Sequence, residues 1–320
     1  MRKAAGTSVA SLPGPRPFLK WAGGKRQLLP VLRGFYPSRF DRYWEPFLGS
    51  AAVFFDLRAR GLLDGHPAIL ADTNPDLIAC YCAVRDEPDE VIHELSALAE
   101  AHAASGARHY YDVRDKRFNP ERRRAGGYTP ALAAMFIYLN RTGYNGLFRL
   151  NAAGEFNVPA GRYPNPRICD AENLRGVSAA LRCHAITLRR QPFACLMDEA
   201  RAGDFIYLDP PYAPLTRTAK FTSYTAEGFT HRDQELLRGT MIALAERGCY
   251  VVLSNSTAPE IVELYDRDKE VASAGLRCVT VPARRAINSN AARRGTVNEY
   301  VITNVISGSP TPRQGSAAVP

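Results

Sequence analysis

The sequence predicts an α/β protein built on a mixed, Rossmann-like sheet, interrupted by a mainly helical insertion that bears a β-hairpin. Three observations predict it. The run Phe205-Ile206-Tyr207-Leu208 is short, aromatic and β-branched, as a buried strand is, and it stops at Asp209-Pro210-Pro211-Tyr212. Two earlier apolar runs behave similarly: Tyr43-Trp44-Glu45 leads into a glycine turn, and Ala68 to Asp72 ends in an acid. From Leu77 to Leu139 this alternation gives way to helical spacing, so the chain leaves the sheet and returns to it later.

Taken in order, residues 1–17 are rich in Ala, Gly, Ser and Pro without periodicity and read as a disordered arm. Structure starts at Phe18-Leu19-Lys20-Trp21-Ala22-Gly23-Gly24-Lys25, where paired glycines beside Lys25 suggest close backbone approach to a ligand. A nucleotide-phosphate loop needs G-x-x-x-x-G-K-S/T. Here Arg26 follows Lys25 and no glycine is in register, which excludes that loop. Tyr43 to Phe55 reads as strand, turn and helix, with Phe47 and Gly49 in the turn. Asp72 lies 23 positions after Gly49, close to where nucleoside-binding sheets place a ribose-binding carboxylate. Asn74 then caps a helix opening with Pro75.

In the insertion, Val91, Leu95 and Leu98 recur at helical spacing, the pattern breaks near Gly126-Gly127, and Ala131 to Leu139 forms another apolar helix. Asn145-Gly146 and Ala153-Gly154 are turn signals around the strand-like Leu147 to Leu150, which predicts a protruding hairpin. A basic hairpin with Tyr144, Leu147 and Arg149 suits a DNA groove, where Arg149 can read guanine through two hydrogen bonds. By itself the stretch is equally an ordinary surface hairpin. Further on, Phe221 to Phe229 reads as a loop over the site and His231 to Arg247 as an amphipathic helix capped by Thr230. Tyr250 to Asn255 and Tyr300 to Val305 read as strands, and residues 307–320 as a disordered tail.

The chain has 41 Lys+Arg against 32 Asp+Glu, a net charge of +9 that suits a polyanionic partner. Two basic runs, Arg108 to Arg124 and Arg277 to Arg294, point the same way, a solvated face being the alternative. The seven cysteines are scattered with no C-x-x-C pair, which argues against zinc and for reduced thiols, and no metal is expected. No secretory core and no membrane-length apolar run occurs, so the expectation is a cytoplasmic, monomeric protein.

The chemistry concentrates at Asp209 to Tyr212. Proline has no N–H for a ladder, so the strand ends and leaves Asp209 at the sheet rim, where open α/β sheets bind ligands. Asp209 and the Pro210 carbonyl can each accept one N–H of a planar exocyclic amine, with Pro211 stiffening the turn and Tyr212 offering a ring to stack on. A proline-terminated strand before a plain surface turn is the alternative for this motif alone.

Seven motifs in one order carry a resemblance over about Phe18 to Val305. They are Phe18 to Lys25, Glu45-Pro46-Phe47-Leu48-Gly49, Ala71-Asp72, Asn140 to Asn151, Phe156 to Tyr163, Asp209 to Pro214, and Arg284 to Asn290. Together they resemble the alpha-class DNA adenine-N6 methyltransferases of the Dam family. The resemblance implies an S-adenosylmethionine-dependent methyltransferase sheet over 18–76 and 170–306, with a target-recognition domain inserted at 77–169. It implies Trp21, Lys25, Phe47, Gly49, Asp72 and Asp209 around S-adenosylmethionine, and Asp209 to Tyr212 around a flipped adenine. It further implies Lys20, Tyr144, Asn145, Leu147, Arg149, Pro159 and Tyr163 at the bases of double-stranded DNA, with Arg284, Arg285 and Asn290 near its backbone. The Tyr144 to Arg149 stretch resembles that of enzymes acting on GATC. One departure stands out: Gly49-Ser50-Ala51 replaces the family's G-x-G, placing a methyl where the cofactor would approach. A cytosine-C5 enzyme is excluded, since its thiolate follows a proline and no cysteine here does. An N4-cytosine enzyme and an inactive DNA-binding relative remain as alternatives, against which Asp209 and the intact Asp209 to Tyr212 motif argue.

Overall fold

The computed structural model describes residues 14–21, 23–124, 127–183, 185–212, 229–284 and 296–306. Its centre is a sheet of β1 (Tyr43–Glu45), β2 (Ala68–Asp72), β3 (Ile186–Arg190), β4 (Phe205–Leu208), β5 (Tyr250–Ser256), β6 (Arg277–Arg284) and β7 (Thr296–Thr303). The spatial order is β3-β2-β1-β4-β5-β7-β6, all parallel except β7, which runs antiparallel between β5 and β6.

Period-two alternation explains why these short runs are strands. Tyr43, Leu70, Phe205, Tyr207, Val252 and Val301 enter one core, whereas Trp44, Ile69, Ile206, Leu208, Val251, Leu253 and Ile302 enter another. Each central strand is therefore apolar on both faces, as a parallel sheet covered by helices requires. The two strands that sequence reasoning missed are the edges. β3 is half exposed and carries Arg189 and Arg190, and β6 was read as a basic run; neither needs a continuous apolar signal. The last strand also begins at Thr296, ahead of the predicted Tyr300.

Helix α1 (Ala52–Ala59) follows β1, and α2 (Pro75–Asp86) follows β2, capped as expected by Asn74, whose side chain accepts the Asp76 and Leu77 N–H groups. The insertion continues through α3 (Pro88–Asp112), kinked at Gly106, where φ is 51°. A π-helical turn (Val113–Phe118), α4 (Asn119–Arg124) and α5 (Pro130–Thr142) follow. The chain returns through α6 (Ala171–Leu181), which packs on α2 beside the sheet. Leu95, Phe136 and Leu139 share a continuous core with Phe54, Tyr81 and Phe205, so insertion and sheet are packed as one body. Past β4, α7 (His231–Glu246) starts with the capping box of Thr230 and Asp233.

Three expectations are corrected. The arm assigned to 1–17 is fixed at its end: Arg16 exchanges backbone hydrogen bonds with Asn173 and its guanidinium pairs with Asp170. The hairpin is present but short of a regular ladder: the Asn151 N–H donates to the Glu155 carbonyl and the Asn157 N–H to the Arg149 carbonyl around the bridge Leu150 to Phe156, and Gly143 bridges Ala160. Its Phe148, Phe156 and Val158 turn into the core, and a side-chain amide supplements these backbone bonds. The Asn119 amide pairs with both the N–H and the C=O of Phe156 at 2.9 and 3.0 Å. Finally, part of the Arg108 to Arg124 run is structural, although Arg108, Lys116, Arg117, Arg123 and Arg124 are exposed. Arg122 grips Asp76 with two hydrogen bonds and the Gly154 carbonyl with a third, Arg114 holds the Val158 carbonyl, and Arg123 pairs with Glu155.

Candidate active site

The chain order of the strands reverses between β1 and β4, and ligands of open α/β sheets bind at the carboxyl ends of strands flanking such a reversal. Gly49, Asp72 and Asp209 follow or close β1, β2 and β4, so the topology gathers them on one rim. At Gly49 φ is 45°, and an added Cβ would meet Trp21 Cδ1 at 2.8 Å; only glycine lets the indole lie on this turn. The Gly49 N–H donates to Asp72 Oδ2 at 3.2 Å, and its carbonyl accepts the Tyr81 hydroxyl. Asp72 Oδ1 accepts the Asn74 N–H, while burial pushes the Asp72 carboxyl up to about 6. Phe47 packs with Phe193 and Phe229 as an aromatic wall on the same rim. A carboxylate, a bare glycine backbone and aromatic faces form a donor set that fits an adenosyl group. Ala51 adopts φ 54° with no exposed surface and sits in the core, so its methyl does not face that opening.

Beside this half lies the chemistry of β4. Asp209 Oδ1 pairs with Lys25 Nζ at 2.7 Å, and the ammonium also donates to the Gly23 carbonyl and stands 4.5 Å from the Tyr212 ring centroid. Lys25 is buried, whereas a fifth of the Asp209 side chain stays open to the cleft. Burial pushes the Asp209 carboxyl up to about 6 against the opposing pull of Lys25. The Tyr212 hydroxyl donates to Glu299 at 2.7 Å, and the Pro211 carbonyl accepts Gln234 Nε2, itself held by Asn255. Glu45 is also buried at the rim, accepting the Tyr43 hydroxyl and the Phe54 N–H, and burial lifts its carboxyl to about 8. Burial thus favours its neutral form beside Asp209, against the pull of those two hydrogen bonds.

The other predicted residues form an adjoining surface. Lys20 Nζ lies 3.8 Å over the Tyr163 ring and donates to the Arg141 carbonyl. Asn145 and Gly146 both take positive φ and close a turn from Tyr144 to Leu147, with Tyr144 exposed and Leu147 partly buried. Pro159 accepts the Tyr144 N–H, and the Arg149 guanidinium is engaged by Asn157. Arg284 closes β6 opposite Thr296; its side chain, Arg285, Asn290 and the loop 221–228 lie outside the described residues.

Sequence reasoning missed several residues that assemble the site. Asn140 is the chief one: its amide accepts the Lys20 N–H and donates to the carbonyls of Lys20 and Gly146, at 2.6 to 2.9 Å. It thereby ties the Lys20-Trp21 segment to the turn, and Trp21 stacks on Phe148 at 6.3 Å. Asn119, Gln234, Asn255 and Glu299 likewise act on partners 21 to 87 positions away. No local pattern marks such residues, because their partners lie far along the chain.

The sheet thus reverses its strand order beside a rim that carries Gly49, Asp72 and Asp209, the place where enzymes of open α/β sheets bind their ligands. Comparison with known proteins gives the family. Residues 21–277 match the model of the D12 class N6 adenine-specific DNA methyltransferases. The chain is 37% identical to a type II methyltransferase of Lactococcus lactis subsp. cremoris over 90% of this chain and 95% of that one. It is also 37% identical to a type II methyltransferase of Methanocaldococcus jannaschii, over 90% and 99% of the two chains. The DNA adenine methylase of Escherichia coli K12 is again 37% identical, over 89% and 94%. The chain belongs to the D12 class and is an adenine-specific DNA methyltransferase whose methyl donor is S-adenosylmethionine. Among solved structures, a precorrin-6y C5,15-methyltransferase of Geobacter metallireducens overlaps with a TM-score of 0.38 at 10% identity, covering 90% and 97% of the chains.

Proposed function

We propose that this enzyme methylates adenine N6 within GATC of double-stranded DNA, extruding the target base into the rim and transferring the methyl group directly. The observation that carries the reading is Asp209, held by Lys25 at the end of β4 with the Tyr212 ring beside it. A base inside a duplex cannot reach such a pocket, and extruding it costs a few kcal/mol of stacking and pairing. Adenine N6 is a poor nucleophile because its lone pair is delocalised into the ring. Asp209 and the Pro210 carbonyl accept its two N–H groups and favour the more pyramidal amine that develops as the bond forms. The Tyr212 face holds the base plane. Catalysis is then positioning plus fixed electrostatics, with no covalent enzyme intermediate. S-adenosylmethionine supplies the electrophilic methyl, with Trp21, Phe47, Gly49 and Asp72 as its supports.

Site choice is assigned to Lys20, Tyr144, Asn145, Leu147, Arg149, Pro159 and Tyr163, and backbone contact to Arg284, Arg285 and Asn290. In this reading 18–76 and 170–306 form the catalytic domain and 77–169 the recognition domain, with α2 and α6 as the seam. The enzyme acts as a cytoplasmic monomer. Labelled methyl transfer to matched duplexes tests the reading: one with GATC, one scrambled, one with its adenine replaced. Label confined to GATC and recovered as N6-methyladenine is expected. Label on every adenine-containing duplex overturns the site, label in N4-methylcytosine overturns the base, and DNA binding without transfer overturns the activity.

A further inference from the structure

Glu299 belongs to none of the motifs that carry the family resemblance. It sits on β7, paired with Ser256 of β5 on one side and Val281 of β6 on the other. β7 does not touch β4 in the sheet, yet the Glu299 carboxylate reaches the loop after β4 and accepts the Tyr212 hydroxyl at 2.7 Å. At that length the hydroxyl–carboxyl hydrogen bond is well formed. It also acts at the far end of the ring. Tyr212 follows two prolines, and its side chain turns about two torsions. The hydroxyl lies on the χ2 axis, so a tether there fixes χ1 and acts on χ2 only through the preference of a phenolic O–H for the ring plane. The ring is thus held at three places: Cα by the Pro210-Pro211 turn, which Gln234 anchors; the face beside Lys25 at 4.5 Å; and the hydroxyl by Glu299.

We infer that Glu299 is a positioning residue of the methyl transfer, fixing through χ1 where the Tyr212 ring stands to receive the extruded adenine. The inference rests on the reading of Tyr212 as the stacking face. Because Glu299 works through Tyr212, removing the carboxylate and removing the hydroxyl break the same tether. Because the tether orients a base already extruded, its loss lowers turnover more than DNA affinity.

The test uses the full chain and a GATC duplex, with kcat and KM for DNA measured for Tyr212→Phe, Glu299→Ala, Glu299→Gln, the Tyr212→Phe/Glu299→Ala pair, and Tyr212→Ala. Tyr212→Phe and Glu299→Ala are each expected to lower kcat by about tenfold, the worth of one well-placed hydrogen bond, with little change in KM. The pair should be no worse than either alone, since both remove one interaction. Glu299→Gln keeps an acceptor oxygen and should recover most of the loss. Parental kcat in Tyr212→Phe or in Glu299→Ala, or losses that multiply in the pair, would overturn the inference. Tyr212→Phe alters no part of β7, so it decides the matter even where Glu299→Ala does not fold. Parental turnover in Tyr212→Ala would overturn the stacking reading itself. Loss in Tyr212→Ala with none in Tyr212→Phe or Glu299→Ala overturns the Glu299 assignment alone.

Discussion

The strand-end rim and the recognition surface lie side by side, yet the chain builds them by opposite means. The rim is made by backbone: strand ends, a glycine at positive φ, two prolines and a parallel register that brings Gly49, Asp72 and Asp209 together. The surface proposed for recognition has a few backbone bonds, such as Asn151 N–H to the Glu155 carbonyl, and relies on side chains for the rest. Asn119 pairs with Phe156 and Asn140 with Lys20 as a neighbouring strand would, and Arg122 holds the Gly154 turn. A sheet fixes geometry through many cooperative bonds, whereas a loop fixed by three amide and guanidinium clamps can change sequence and shape without disturbing the sheet. In the proposed reading, chemistry sits on the first kind of support and target choice on the second.

That contrast can be broken at the rim first. Asp209→Ala removes the amine acceptor and is expected to lower kcat by about 10²- to 10³-fold, the usual cost of one preorganised polar group. DNA binding measured by gel shift should survive; near-parental turnover would sink the account of the chemistry. Next in size is the pH response. Burial holds the Asp209 carboxyl up at about 6, and only the ionised form accepts both lone-pair directions, so kcat/KM should fall about tenfold per unit below that pH and level off above it. Lys25 opposes the burial effect. Removing it by Lys25→Gln raises the pKa further, and the acid limb of a pH–rate profile should move to higher pH. A limb that stays in place would separate Lys25 from the titration.

The recognition side is probed by its clamps. Asn119→Ala leaves the Phe156 N–H and C=O buried without partners and should cost about 2–4 kcal/mol in urea unfolding. It should also relax discrimination between GATC and near-cognate duplexes while S-adenosylmethionine affinity holds. Asn140→Ala, which frees the Lys20-Trp21 segment as well, should weaken both. Identical behaviour of the two variants would mean that the rim and the recognition surface are not separately supported. The smallest effect is expected at Ala51. Glycine there relieves left-handed strain of about 1 kcal/mol but loses a buried methyl worth about 0.8 kcal/mol, so Ala51→Gly should shift stability by under about 1 kcal/mol. Cofactor affinity by calorimetry should not change, since the methyl packs in the core.

The same contrast decides what the sequence makes legible. The Asp209 strand, the Gly49 turn, the Asp72 strand end and the Asn74 and Thr230 caps are local patterns, each readable within a few residues, and all stand where they were expected. β3 and β6 escaped because edge strands carry charge in place of an apolar run. The hairpin misled for a related reason. Asn145-Gly146 and Ala153-Gly154 are true turns, but Phe148 and Phe156 are buried by partners in α5 and the π-helical turn, which no short-range pattern announces. Likewise Arg122 reads as surface charge until Asp76, far upstream, is placed against it.

The insertion between β2 and β3 has a consequence for how the chain folds. Ala68 pairs with Ile186, and Tyr43 with Phe205, so the neighbours on which the rim depends are joined by loops of more than a hundred residues. Loop-closure entropy grows only logarithmically, and a loop about five times longer than an ordinary crossover costs only about 1.4 kcal/mol more. The equilibrium fold thus tolerates the insertion. The rate does not escape so lightly, because pairings so distant form slowly and late. During synthesis β4 emerges only after the whole recognition segment, so a ribosome-bound chain holds its cofactor strands before it has Asp209. The last parts to be made are those that turn a binding surface into a catalyst.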